Sequence, residues 1–469
     1  MTASHALFAE HALLPGGWAR DVLLEWDDRG CLSVVRPASP APAGVAQAAG
    51  PLLPGMPNLH SHAFQRAFGG LTEFRGHNPG AEHDSFWSWR KLMYRFAGAL
   101  TPEHLRCIAT ALYVEMLEAG YTSVCEFHYV HHDRDGRPYA DDTTLSSCLV
   151  EAASLAGIGL TLLPVLYQNS GFGALAPTAG QRRFIRSTDD MLGLLARLKP
   201  VCQRHGARLG LAPHSLRAVA PDALAAVLSG LHAMDATAPV HIHIAEQTGE
   251  VDACLAWSGQ RPVQWLLDHA AVDSRWCLVH ATHMTADEYE AAARRGAVAG
   301  ICPSTEANLG DGIFDMGAWR AHEGAWGIGS DSHVCVNAAE ELMLLEYSQR
   351  LASRRRNVLA RDGQRDVATA MTLDAVRGGA QASARAIAGL AVGQQADCVV
   401  LDAQHPLLRG LPTPQGMLSA HVFASHRRAA IHDVWAAGHR LVHGGAHPLA
   451  EQTRNAFITA RRELLATPC

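Results

Sequence analysis

The sequence predicts an α/β fold: a (β/α)8 TIM-type barrel with a small β-sandwich domain built from both chain ends. Three observations carry this expectation. Eight short apolar runs alternate with helical stretches through the middle of the chain. The two ends carry strand-and-turn segments of a different kind, and 469 residues suffice for one large barrel plus a smaller domain. An open doubly wound sheet is the structural alternative, because alternation alone does not close a barrel.

The eight runs are "LLPGMPNLH", "TSVCEF", "GLTLLPVLY", "ARLGLAPHS", "APVHIHIAE", "WCLVHAT", "AVAGICPS" and "AWGIGSDS". Continuous apolar strands separated by helices indicate a parallel sheet covered on its faces. One repeat reads completely. Thr101 is an N-cap with Pro102 at the first helical position, and "EHLRCIATALYVEMLEAG" then carries apolar residues at helical spacing. Gly120 stops that helix and "YTSVCEF" follows as a buried strand.

The barrel is expected over residues 53–384. Residues 1–52 hold "RDVLLEWDDRGCLSVVRP", two strands around an Asp-Asp-Arg-Gly turn, as the first part of the small domain. Residues 385–469 supply the second part, "ADCVVLDAQ" and "AAIHDVWAAGHRLVHGG", followed by the amphipathic helix "PLAEQTRNAFITARRELLA".

Composition narrows the function classes. Hydrophobic residues make up 48% of the chain, which suits a folded globular protein. Lys plus Arg total 39 against 45 Asp plus Glu, a net charge of −6 with no basic run, so no nucleic-acid partner is expected. The eleven cysteines are scattered and form no CxxC pair, which argues against a disulfide framework or a thiolate zinc cluster. The opening "MTASHALFAEHALLPGG" lacks the layout of a signal peptide, and no apolar run approaches the ~18 residues of a membrane span. A soluble, cytoplasmic chain without membrane contact is the expectation.

Chemistry gathers at the strand ends, where a parallel β/α barrel builds its active site. The first strand ends in His60 and His62, whose i, i+2 spacing in an extended segment puts both imidazoles on one side. The fifth ends in His243, with Glu246 three residues on. The sixth ends in His280 and the eighth in Asp331. Each has an ordinary structural explanation alone; together on one rim they suit a catalytic metal. Three neutral imidazoles and a carboxylate make a first shell for Zn²⁺ or Fe²⁺ with room for a water.

At these residues the chain resembles the amidohydrolase superfamily, which combines HxH after strand one with histidines after strands five and six and an aspartate after strand eight. The resemblance spans nearly the whole chain. It implies one divalent metal, Zn²⁺ before Fe²⁺, held by His60, His62, His243 and Asp331. Superfamily members with two metals bridge them with a strand-four lysine; here "LGLAPHSLRAV" offers His214 and no lysine. The strand-five "HIAE" fits the deaminase branch. Within it, "NLHSHAFQRAF", "FWSWRKLMYRFA", "LAPHSLRAV" and "CPSTEANLGDGIFD" are similar to the iminohydrolases that act on N-formimino-L-glutamate.

That resemblance implies deimination with water to N-formyl-L-glutamate and ammonia, in histidine degradation, and a homodimer. The expected chemistry is attack of a metal-activated hydroxide on the formimino carbon. Asp331 would accept the water's proton, His280 would orient the hydroxide, and Glu246 would pass a proton to the departing nitrogen. The substrate's two carboxylates call for cations, and Arg90 and Arg217 are the candidates because guanidinium binds carboxylate as a fork. By resemblance Gln65, Tyr129 and His214 join them.

Other features read as decoys. His128, His131 and His132 in "FHYVHHD" look like loop histidines, and "GGAHPLA" with the remaining histidines like surface. Cys302 and Cys335 lie near the rim without a visible activating base. Two rivals stand beside the main reading: a related deaminase acting on a nucleobase or nucleoside, and an inactive barrel serving as a binding scaffold.

Overall fold

The computed structural model describes residues 5–73, 86–424 and 430–467. The central strands are β6 (Met56–Ser61), β7 (Tyr121–His128), β8 (Gly159–Leu166), β9 (Arg208–Leu209), β10 (Ala212–Pro213), β11 (Val240–Ile244), β12 (Trp276–His280), β13 (Val298–Ile301) and β14 (Ala325–Ile328). They pair in parallel as two sheets, β10-β8-β7-β6 with β9 also on β8, and β11-β12-β13-β14. Isolated parallel bridges Leu211↔Val240 and Ser61↔Asp331 join the sheets at both borders. Each of the eight expected strands is present, the fourth broken by Gly210 into β9 and β10.

Local chemistry explains these elements. The Thr101 side chain accepts the His104 N–H at 3.1 Å, opening the helix Pro102–Glu118 as anticipated. Gly120 follows at φ +91°, a left-handed conformation that releases the chain into β7. Strands β7, β11, β12 and β13 are buried along their whole length, which accounts for their unbroken apolar character.

The end strands are β1 (Ala6–Leu14), β2 (Gly17–Trp26), β3 (Leu32–Arg36), β4 (Ala46–Gln47), β5 (Leu52–Pro54), β15 (Cys398–Leu401), β16 (Ile431–Ala436) and β17 (His439–His443). They form one hydrogen-bonded sheet in the order β17-β16-β15-β5-β1-β2-β3, with β4 on β1. Antiparallel pairing of β5 with β15 joins the chain ends, and the expected break at residue 52 falls inside β5. The sheet curls: Trp26 of β2 meets Trp435 of β16 edge-on at 5.4 Å, although they lie far apart in strand order. At the Asp-Asp-Arg-Gly turn, Gly30 has φ +74° and a Cβ there would collide with the Ala437 carbonyl. The C-terminal helix Ala450–Ala466 buries Ala460 and Leu464 and leaves its other face to solvent, as its pattern requires.

The helix Val367–Ser383 packs across β14 and β6. Its Gly378 has no room for a side chain, because a Cβ would strike the Trp326 backbone. Gly378→Ala is therefore expected to destabilise by about 1–3 kcal/mol through overpacking, although alanine is favoured over glycine in an exposed helix by ~1 kcal/mol. Urea unfolding checks the sign; a stabilised variant would contradict the packing described.

Candidate active site

Alternation along β6 sends His60 and His62 inward while Ser61 points away. Ser61 Oγ donates to Glu126 Oε2 at 2.5 Å, and the same carboxylate accepts the Ala63 N–H at 2.7 Å and the Tyr113 hydroxyl at 3.1 Å. Burial lifts the Glu126 carboxyl to about 7, opposed by these three donors. The far end of β14 is tied to the same segment. Asp331 N–H donates to the His60 carbonyl at 2.9 Å, and His62 N–H donates to the Asp331 carbonyl at 3.2 Å.

The side chains converge. His60 Nε2 lies 3.1 Å from His62 Nε2 and 2.9 Å from His243 Nε2. Asp331 Oδ1 is 3.4 Å from His60 Nε2 and 3.3 Å from His62 Nε2. His62 Nδ1 is 2.8 Å from the Phe127 carbonyl and His243 Nδ1 3.1 Å from the His214 carbonyl. Those carbonyls can only accept, so each Nδ1 carries the proton and each Nε2 turns a lone pair to the centre. Burial holds all three imidazoles neutral: His60 falls to about 3, His62 is lowered and His243 is well below its ordinary value. Lone pairs and a carboxylate oxygen converge on one point at these distances, and a divalent cation fits that donor set.

His280 stands beside it, among carboxylates. Its Nδ1 is 3.2 Å from Glu306 Oε1, and its Nε2 is 4.0 Å from Glu246 Oε1 and 3.7 Å from Asp331 Oδ2. Burial would lower its pKa, but Glu246, Glu306 and Asp331 together raise it to about 10. Burial raises the Glu246 carboxyl against the pull of His280 and Arg217. The rim backbone is strained: Ala245, His280, Ala281 and Asp331 all have φ between +43° and +65°. Such conformations cost non-glycine residues about 1–3 kcal/mol each and cluster at functional sites.

One pocket of about 560 Å³ opens on this rim. His62, His243, Glu246, His280 and Asp331 line it together with all five expected substrate contacts, Gln65, Arg90, Tyr129, His214 and Arg217. His60 lies beneath, fully buried. Gln65 Nε2 donates to the Tyr129 hydroxyl at 2.8 Å, Arg90 Nη2 donates to the Tyr167 hydroxyl at 2.9 Å, and Arg217 Nε sits 3.9 Å from Glu250 Oε1.

Several contributors escaped the sequence reading. Glu306 lies in "CPSTEANLGDGIFD", 26 residues from the histidine it touches, so spacing could not pair them. Glu126 was read only as part of a buried strand; its carboxylate amid apolar residues was the available signal. Tyr94 follows Arg90 by four residues on the helix Phe86–Ala99, a spacing that puts both on one face. Glu250 stands four residues after Glu246 and accepts its backbone N–H at 3.0 Å.

Of the three histidines expected in a loop, His128 ends β7 while His131 and His132 stand in the loop after it; all three are buried, and His131 Nε2 donates to the Val165 carbonyl and His132 Nε2 to the Ile185 carbonyl. The histidines expected at the surface need correction. His241, His333 and His447 are buried as well, with His241 bonded to the Ala382 carbonyl and His447 to that of Ala156. Burial raises the Cys302 and Cys335 thiols, which keeps both protonated.

The chain belongs to the amidohydrolase family, whose family model matches residues 52–441. The family is metal-dependent, and His60, His62 and Asp331 form one of the groups here able to take an ion. The formimidoylglutamate deiminase of Pseudomonas aeruginosa is 53% identical over 460 residues, covering 98% of this chain and 99% of that one. The 8-oxoguanine deaminase of the same organism is 27% identical, covering 84% and 83%. Among solved structures, an amidohydrolase from Brucella melitensis superposes with a TM-score of 0.92 at 46% identity, covering 98% and 100%. An adenosine deaminase from Xanthomonas campestris with bound zinc shares the fold, with a TM-score of 0.78 at 22% identity and 98% coverage of each chain.

Glu126→Ala strips the acceptor from three buried donors behind the HxH segment. Metal affinity, measured by competition with a chelator, is expected to fall about 10–100-fold. An unchanged affinity would contradict the support assigned to Glu126.

Proposed function

We propose that this chain hydrolyses N-formimino-L-glutamate to N-formyl-L-glutamate and ammonia. The observation that carries the reading is a single pocket in which a metal-type His/Asp rim shares its walls with two arginines, Arg90 and Arg217. Full-length similarity to a formimidoylglutamate deiminase supports it. Two guanidinium groups match a substrate with two carboxylates; a neutral base brings no charge to either.

His60, His62, His243 and Asp331 would hold the metal, and Zn²⁺ is the proposed occupant because imidazole and carboxylate ligands suit it. When bound there it supplies Lewis-acid activation of water. Asp331 turns Oδ1 toward His60 and His62 and Oδ2 toward His280, so Oδ2 takes the proton of the attacking water. His280, steadied by Glu306 at Nδ1, orients that water and stabilises charge at the carbon under attack. As the water oxygen bonds to the formimino carbon, the C=N bond opens and its nitrogen takes the proton that Asp331 accepted. Glu246, whose carboxyl burial raises, delivers a second proton to that nitrogen, the C–N bond breaks to release ammonia, and the formyl carbonyl closes as its hydroxyl proton returns to Glu246.

The same reading takes the two parallel sheets as one closed eight-stranded barrel over residues 53–384, supported by the bridges at both sheet borders. Segments 1–52 and 385–469 then form the small domain, its curled sheet serving as the sandwich. No helix among the described residues is long and apolar enough to cross a membrane. The described cysteines are all free thiols, which supports a cytoplasmic setting.

Ammonia release measured with formiminoglutamate, guanine, cytosine and adenosine tests the substrate. Turnover of formiminoglutamate alone is expected; preference for a ring substrate would replace this reading with the nucleobase alternative. Glu246→Gln should retain metal and lose at least ~10²-fold in turnover; near-normal turnover in the metal-loaded variant removes Glu246 from the chemistry. Arg217→Met should lower kcat/KM for formiminoglutamate about 30-fold or more while barely affecting formamidine, which has no carboxylate. Equal losses on both would reduce Arg217 to a support of the rim.

A further inference from the structure

Two phenols stand beside Arg90, and their hydrogen bonds can be counted. Tyr167 directly follows β8, Tyr94 lies one turn beyond Arg90, and both line the pocket. The Tyr167 oxygen accepts from Arg90 Nη2 at 2.9 Å and from Gln181 Nε2 at 2.7 Å. The Gln181 amide cannot be turned round, because its Oε1 already accepts the Thr178 N–H at 2.7 Å. A phenol oxygen offers two lone pairs and one proton. Both Tyr167 lone pairs are filled by obligate donors, so its own proton must go outward.

Tyr94 lines the same wall of the pocket. The Tyr167 proton is left for a further acceptor on that wall. Burial, with the neighbouring Tyr167, raises Tyr94 above the ordinary phenol range. Arg90 stacks its guanidinium 5.1 Å over the Tyr94 ring, which places cation and spare phenol proton side by side. An oxyanion satisfies both at once. A carboxamide, which presents donors as well as one acceptor, satisfies them poorly.

We propose that Tyr94 and Tyr167 form a carboxylate-recognising pair with Arg90, giving the spare phenol proton to one carboxylate of the substrate. They are specificity-determining residues, and the identity of that substrate rests on the reading under Proposed function. Arg90 alone would draw in any anion; the fixed phenol selects an acceptor at one place in its fork.

The test uses the full-length, metal-loaded chain. Tyr167→Phe and Tyr94→Phe keep both rings and remove one hydroxyl each. For each variant, glutarate binding is measured by calorimetry, and KM and kcat with formiminoglutamate and with formamidine. Expected are at least a tenfold weaker glutarate affinity and a tenfold higher KM for formiminoglutamate in one or both variants. Metal content should stay at the wild-type level, with kcat within about threefold and formamidine turnover unchanged. Glutarate affinity within twofold of wild type in both variants overturns the proposal. So does wild-type failure to bind glutarate, or an equal loss on formamidine, which would mean that the hydroxyls only stiffen the rim. Wild-type chain that binds glutarate through these hydroxyls yet releases no ammonia from formiminoglutamate sinks the proposed reaction and leaves the carboxylate pair standing.

Discussion

Everything at this site depends on how the first strand is pinned to the last. Asp331 gives its N–H to the His60 carbonyl and takes the His62 N–H on its own carbonyl. Two backbone hydrogen bonds thereby fix the segment that supplies two imidazoles against the strand end that supplies the carboxylate. With both backbones locked, the side chains have nowhere to go but toward one point. The Glu126 carboxylate grips the same turn from behind through Ser61 and Ala63. Loss of either clamp leaves the ligand types in place and their convergence unsupported.

That convergence is costly to the folded chain. Burial strips three imidazoles of water and sets their lone pairs against each other and against a carboxylate oxygen. Left-handed backbone at Ala245, His280, Ala281 and Asp331 adds strain. The surrounding core of fully buried strands and helices holds these arrangements, and a bound cation would turn the opposed donors into ligands. Rigidity and chemistry are therefore separate layers: the apolar body sets the strand ends, and the polar rim spends some stability on being poised.

The sequence made much of this visible, for reasons that can be named. Eight apolar runs follow from strands buried on both faces, and the HxH, "HIAE" and Asp331 signals are readable because each stands at a strand end, where the barrel pattern directs attention. Curling of the end strands into one sheet was not legible, since it follows from β5 pairing with β15 nearly 350 residues later. Nor was the company of His280. Glu306 reaches it from the helix Pro303–Leu309, a contact set by packing between neighbouring strand ends and not by spacing. Histidines misled in the opposite direction. His241 and His447 look exposed in a string of letters, yet each is buried with a backbone carbonyl as its partner, and only the fold supplies that carbonyl.

The account turns on one cation serving the rim that His60, His62, His243 and Asp331 define. The most direct measurement strips the chain with a chelator, restores Zn²⁺ in steps and follows ammonia release from formiminoglutamate against equivalents added. Activity rising linearly and breaking at one equivalent per chain is the result this account requires. A break at two equivalents, or full activity in the stripped chain, would contradict it.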